Sequence, residues 1–208
     1  MREQARGMAE GLETELSLVV DAMFPLETVA SVLQVFQTHY PSVRTRLYVE
    51  PLARAAKLLI DGECSLGILA SMVCDNRVLK STPLVNIDLA MVVSPDHALA
   101  SGDRIISKQA LRDHMQLVVT DRIQHNPVRD FGVYATQTWR LGDLGSKHTL
   151  LRAGLGYGTM PVHMVQDDLD SGRLFSLRLE DWGGGRRRHS RCAWHTSSKN
   201  HPARPRNG

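Results

Sequence analysis

Nowhere in the 208 residues does an apolar run reach the ~18 positions that a membrane-crossing helix needs. The N-terminus, MREQARGMAEGLETE, also lacks the apolar stretch of a secretory signal. A soluble, cytoplasmic chain is the expectation. Cysteine is scarce: Cys64, Cys74 and Cys192 are odd in number and show no Cys-x-x-Cys spacing. This argues against a disulfide framework and against a structural zinc site, and all three thiols are expected to be reduced. Acidic residues are missing from one stretch only. From Arg186 to Gly208 there are seven Lys/Arg and no Asp/Glu, so the preceding residues hold 18 basic and 22 acidic side chains, a net of −4 under an overall +3. An acidic body is a poor match for a phosphate backbone, and DNA binding by the body alone is not expected.

Catalytic signatures are absent as well. The sequence has no G-x-S-x-G elbow, no G-x-x-x-x-G-K-[ST] loop and no H-E-x-x-H pair. Gly154-Leu155-Gly156-Tyr157-Gly158 is glycine-rich but follows a helical pattern and precedes a strand. That order is the reverse of a phosphate loop and reads as a helix stop. His125, His148 and His163 are isolated in spacing, and Asp167, Asp168 and Asp170 lack the glycine and terminal glutamate of a calcium loop. No catalytic residue, metal site or cofactor is assigned.

What is present is alternation. Leu16–Val20 reads as a strand, and Pro25 with Glu27 opens a helix whose apolar stripe ends near Tyr40-Pro41. Residues 45–49 form a second strand, and Leu52, Ala55, Ala56 and Leu59 a second helical stripe, stopped at Asp61-Gly62 before a strand at 66–70. This βαβαβ opening predicts parallel strands with ligands at their carboxyl ends. Further strands are expected at 89–94, 116–120, 138–141, 157–160 and 174–179. Helices are expected after Ser107, after Asp143 with Leu144, His148 and Leu151 on one face, and from Pro161 to Leu169. Beyond Trp182, GGGRRRHSRCAWHTSSKNHPARPRNG carries no apolar period and reads as a disordered basic tail.

Several segments then occur in a telling order. Phe24-Pro25 opens a helix that ends in His39-Tyr40-Pro41-Ser42-Val43, and Leu59-Ile60-Asp61-Gly62 leads to Leu66-Gly67-Ile68. Val92-Val93-Ser94-Pro95-Asp96-His97-Ala98-Leu99 follows, then Leu151-Arg152-Ala153-Gly154-Leu155-Gly156 with Met160-Pro161, then Leu169-Asp170-Ser171-Gly172-Arg173-Leu174. Across about residues 12 to 182 this succession resembles the effector-binding domain of LysR-type transcriptional regulators. The resemblance implies an α/β, two-lobed, periplasmic-binding-protein-like (type 2) fold with two crossing strands, near Ala90–Val93 and Gly158–Met160. Residues 15–90 with 160–182 would form lobe I and residues 91–159 lobe II. Residues 1–14 would end a linker helix and 183–208 would be the tail, so the domain would be truncated or divergent at its C-terminus. A small-molecule effector would bind between the lobes, and closing on it would control transcription in the full-length regulator.

The chain departs from that family in lacking a helix-turn-helix segment, so DNA would be reached only through a domain that this chain does not contain. Where the family places Ser or Thr after the first strand, this sequence has Asp21-Ala22-Met23. A carboxylate there suits a hydroxyl- or amine-bearing effector and repels an anion. Positions carried over as effector contacts are Asp21, Met23, Ala70, Ser71, Asp121, Arg122, Asp143 and Thr159. Asp143 is equally a helix N-cap, and Arg122 equally a solvated loop charge. The partners implied are the effector and either a second copy or a full-length regulator. A free-standing solute-binding protein and a regulator fragment that does not bind DNA remain alternatives.

Overall fold

Alternating strand and helix patterns at the start of the chain fold into parallel β-structure. The computed structural model describes residues 15–70, 79–100, 104–120 and 132–197. The described residues fall into two units, one made of 15–85 with 192–197 and the other of 86–191.

In unit 1, β1 (Glu15–Asp21) pairs in parallel with β2 (Arg44–Glu50) on one side and β3 (Leu66–Ala70) on the other. The crossovers are α1 (Leu26–His39) and α2 (Leu52–Ile60), each entered through a proline whose fixed φ suits a helix start. The α2 stripe packs Ala55, Ala56, Leu58 and Leu59 against Val19 and Leu69, with Cys64 and Leu79 completing that cluster. Gly67 lets the helix come close, because a Cβ there would sit 3.0 Å from Leu59 Cδ2. Helix α1 is less covered: Val29 is buried, while Val32 (62%) and Val35 (60%) stand in solvent.

Unit 2 begins in β4 (Leu79–Val93), which starts in unit 1, and continues through β5 (Ile105–Ile106), α3 (Lys108–Arg112), β6 (Gln116–Val119) and β7 (Thr138–Leu141). Then come α4 (Leu144–Arg152), β8 (Gly158–Pro161), α5 (Val162–Asp170), β9 (Phe175–Ser176) and β10 (Arg178–Leu179). β4 pairs antiparallel with β8 and β9, β6 runs parallel to β7, and β5 runs parallel to β10. Met91, Val93, Leu99, Ile106, Leu111, Tyr157, Leu177 and Leu179 form its core. Ser107 caps α3 by accepting from Ala110 N, as its place before the apolar pattern predicts. The glycine-rich segment is a helix stop. Gly154 takes φ +75° and closes α4, and Gly156 lets the chain pass so close to Met115 that a Cβ would lie 2.5 Å from its carbonyl oxygen.

Three expectations need correction. The strand foreseen at 89–94 begins ten residues earlier, at Leu79, and the one foreseen at 174–179 is two short strands split at Leu177. The tail is ordered in part: Arg187–Ser197 is a strand, β11, which pairs antiparallel with β3 from Cys192↔Ala70 to Thr196↔Leu66 and also neighbours β4. The side chains described as buried in it, Ser190, Cys192, Ala193 and His195, are small or polar and give no apolar rhythm. An interior place between two strands outweighs its weak propensity. The two units meet in sequence at Val85-Asn86 and Arg191-Cys192. The chain passes between them within β4 and β11, and Gly158–Met160 lies wholly in unit 2. Residues 1–14 lie outside the described residues.

Candidate functional site

Two groups of polar atoms stand at strand ends, one in each unit. In unit 1, β1 ends in Asp21, which is 1% exposed. Its Oδ1 accepts the Met23 backbone N–H at 2.9 Å, and the Ala70 N–H at the end of β3 also bonds the carboxylate. The other oxygen, Oδ2, is buried and has no hydrogen-bond partner among the described residues. Burial outweighs the two N–H donors and pushes the carboxyl up to about 6. Cys192 lies opposite Ala70, and burial, helped by the nearby Asp21 charge, pushes its thiol up to about 12. Asp21, Met23 and Ala70 therefore stand together at the ends of β1 and β3. Ser71, Asp121 and Arg122 lie outside the described residues.

In unit 2, Asp143 is the N-cap of α4: its Oδ1 accepts from Ser146 N at 2.7 Å and its Oδ2 from the Ser146 hydroxyl at 2.7 Å. Thr159 donates its hydroxyl to Met91 Sδ at 3.6 Å. Its carbonyl takes a hydrogen bond from a residue that the sequence reading missed, Lys147, whose Nζ donates at 2.7 Å. Lys147 is 5% exposed, and burial alone draws its ammonium down to about 7. A signal was there to be read: Leu144, Lys147 and Leu151 are spaced i, i+3, i+7 and share the buried face of α4. His148, placed on that face from the sequence, turns to α5 and meets Asp168 Oδ2 at 2.5 Å. Burial works to raise Asp168, but its bonds to Arg173 (2.5 Å) and His148 prevail and hold it below the usual carboxylate range.

Among the described residues no group of three or more His, Cys, Asp or Glu is placed to hold a metal, and no helix is long and apolar enough to cross a membrane. The family model for the LysR substrate binding domain matches residues 9–204. The chain belongs to the LysR substrate-binding-domain family. Within it, the chain is 25% identical over 182 residues to the uncharacterized HTH-type transcriptional regulator YeeY of Escherichia coli K12, covering 86% of this chain and 59% of that protein. It is 26% identical over 191 residues to the HTH-type regulator PunR of the same organism, again covering 86% and 59%. The chain thus spans a little over half the length of these curated relatives.

Solved LysR regulatory domains share the fold. The CcmR regulatory domain of Synechocystis PCC6803, solved in complex with 2-PG, superposes with a TM-score of 0.68 at 16% identity, covering 91% of this chain and 90% of that one. The regulatory domain of MetR from N. meningitidis gives 0.67 at 14% identity, covering 89% and 86%. The LysR effector-domain resemblance and the α/β periplasmic-binding-like fold class expected from the sequence are therefore both correct.

Proposed function

We propose that this LysR effector-binding domain is the sensory part of a cytoplasmic transcription regulator, reading a small molecule through the carboxyl ends of its parallel strands. DNA would be engaged by a separate reader and not by this domain. The named relatives are transcriptional regulators and not enzymes, which favours sensing over catalysis.

The observation that carries the reading is Asp21. A carboxylate buried at the end of β1 with one oxygen unpartnered costs stability, and an effector hydroxyl or amine supplies the missing donor. Met23 and Ala70 hold the carboxylate in place through their backbone N–H groups. Asp143 and Thr159 are proposed as further contacts, together with Ser71, Asp121 and Arg122. The test is a thermal-shift screen of polyols, amines and amino acids, run on the wild-type chain and on Asp21→Ala. A compound that stabilises the wild type and loses most of its effect on the variant supports the reading. Equal stabilisation of both proteins removes Asp21 from the site, and a screen without a single binder overturns the sensory reading itself.

The same proposal includes self-association or pairing with a full-length regulator. Helix α1 exposes Val32 and Val35, and β2 at the sheet edge exposes Leu47 (39%) and Val49 (41%). Light scattering should show an oligomer that Val32→Glu with Val35→Glu converts to monomer. An unchanged mass would place any association elsewhere.

A further inference from the structure

Two histidines of unit 2 face each other. His97 stands in the turn that leaves β4 and His114 just after α3; their ring centroids are 5.2 Å apart with an interplanar angle of 58°, and both residues are partly buried. The turn is built on the His97 backbone, whose N–H donates to the Ser94 carbonyl at 3.1 Å and whose carbonyl accepts from Ala100 N at 2.8 Å. The ring adds a third bond, because its Nδ1 accepts the Leu99 backbone N–H at 3.1 Å. Leu99 is 4% exposed and belongs with Ile106 and Leu111 to the unit 2 core, and the Leu111 carbonyl accepts the His114 N–H at 3.3 Å. Each histidine is thus tied by a hydrogen bond to a leucine of the same core.

The Leu99 bond fixes what the His97 ring does. A backbone N–H only donates, so Nδ1 is the unprotonated nitrogen and the neutral ring carries its proton on Nε2. Neither nitrogen then has a free lone pair for a metal ion, and the chemistry left to the ring is proton uptake. A proton on Nδ1 turns the acceptor into a donor aimed at another donor, which breaks the Leu99 bond, and it puts a positive charge beside His114. The charged groups on the surrounding elements do not offset that change. Among the described residues, the exposed Asp96 and Asp113 and the cations Arg104 and Arg112 form no ion pair with either ring. Lys108 on α3 is held by Asp181, and Arg152, at the end of α4 near Ser94, by Asp168.

We propose that His97 and His114 form a proton-operated clasp, which when neutral pins the turn at 94–100 to the core of unit 2 and in acid lets go of the Leu99 N–H so that the turn opens. Asp21 lies in unit 1, so this regulation stands apart from the effector reading. Burial first, and then His114, holds His97 below the ordinary histidine value of 6.5. The sign follows: the closed turn binds the proton less well than the open one, so the clasp is secure above the ordinary value and is lost as pH falls through the lowered one.

The full chain is followed by NMR from pH 7.5 to 4.5. Ring carbon shifts, assigned through His97→Asn and His114→Gln, give the histidine midpoints, and amide exchange gives the protection of the Leu99 N–H relative to an unstructured amide at the same pH. His97 should titrate below 6.5, and the Leu99 protection should fall about tenfold along the same midpoint, the loss expected for one hydrogen bond. His97→Asn offers the Leu99 N–H a side-chain oxygen that takes up no proton in this range, so its protection should hold throughout. His114→Gln should move the His97 midpoint upward. Protection that does not change with pH overturns the proposal, as does a fall whose midpoint departs from that of His97 or one that His97→Asn shows equally. The two wild-type midpoints decide the matter even where a variant does not fold.

Discussion

Replacing Asp21 with Asn should make the chain more stable at neutral pH, although it removes a charge from a hydrogen-bonded position. The carboxyl is raised from 3.8 to about 6, chiefly by burial. At about 1.4 kcal/mol per pKa unit, keeping it ionised costs about 3 kcal/mol of folding stability. The sign follows from proton counts. Between pH 4 and 6 the folded state holds a proton on Asp21 that the unfolded chain has lost, so this group's contribution falls as pH rises through that window and is flat above it. Asn keeps an acceptor oxygen for the Met23 and Ala70 amides and carries no charge to bury. Urea unfolding of both proteins, followed by far-ultraviolet circular dichroism from pH 4 to 8, should show Asp21→Asn ahead by about 1 to 3 kcal/mol at pH 7.5, with the gap closing toward pH 4. A gap that stays constant with pH, or a variant less stable at pH 7.5, would refute the burial argument.

Three other outcomes are expected. Gly156→Ala forces a Cβ to 2.5 Å from the Met115 carbonyl oxygen, so the Tyr157 N–Met115 O bond should break and unfolding should shift by about 2 to 4 kcal/mol in urea. Cys192, with its thiol held at about 12, should resist iodoacetamide at pH 8 in the folded chain and label fully in urea, as read by peptide mass spectrometry; rapid labelling of the folded protein would contradict its burial. Removing the proton-linked lysine with Lys147→Met should flatten the rise of stability with pH above 7. In the wild type the folded state has released a proton there that the unfolded chain still holds, at about 1.4 kcal/mol per pH unit.

Unit 1 was legible wherever side chains announce their surroundings. The spacing of Ala55, Ala56 and Leu59 marks a buried helix face, and the run Leu66–Ala70 marks a buried strand with the same bounds that it takes in the structure. Asp21 was legible as an anomaly, a carboxylate after an apolar strand, and its burial justifies the attention. Strand β11 was not legible, because the side chains described as buried in it, Ser190, Cys192, Ala193 and His195, carry no apolar period, and strand identity there comes from its neighbours. Lys147 was passed over for a related reason. A lysine between Leu144 and Leu151 looks like a break in a stripe until the stripe is seen to run through it.

Strand β11 also sets an order of assembly. Unit 2 is one uninterrupted stretch, residues 86–191, whereas the sheet of unit 1 takes its β11 segment, Cys192 onward, from more than a hundred residues beyond its other strands. During synthesis, unit 2 has its full complement of strands while unit 1 still shows β3 with an open edge, a surface that invites pairing with other chains. Strand β11 closes that edge. A released chain cut short just before Cys192 therefore keeps residues 86–191 of unit 2 and leaves the β3 edge of unit 1 open, so the burden on cellular quality control falls on unit 1.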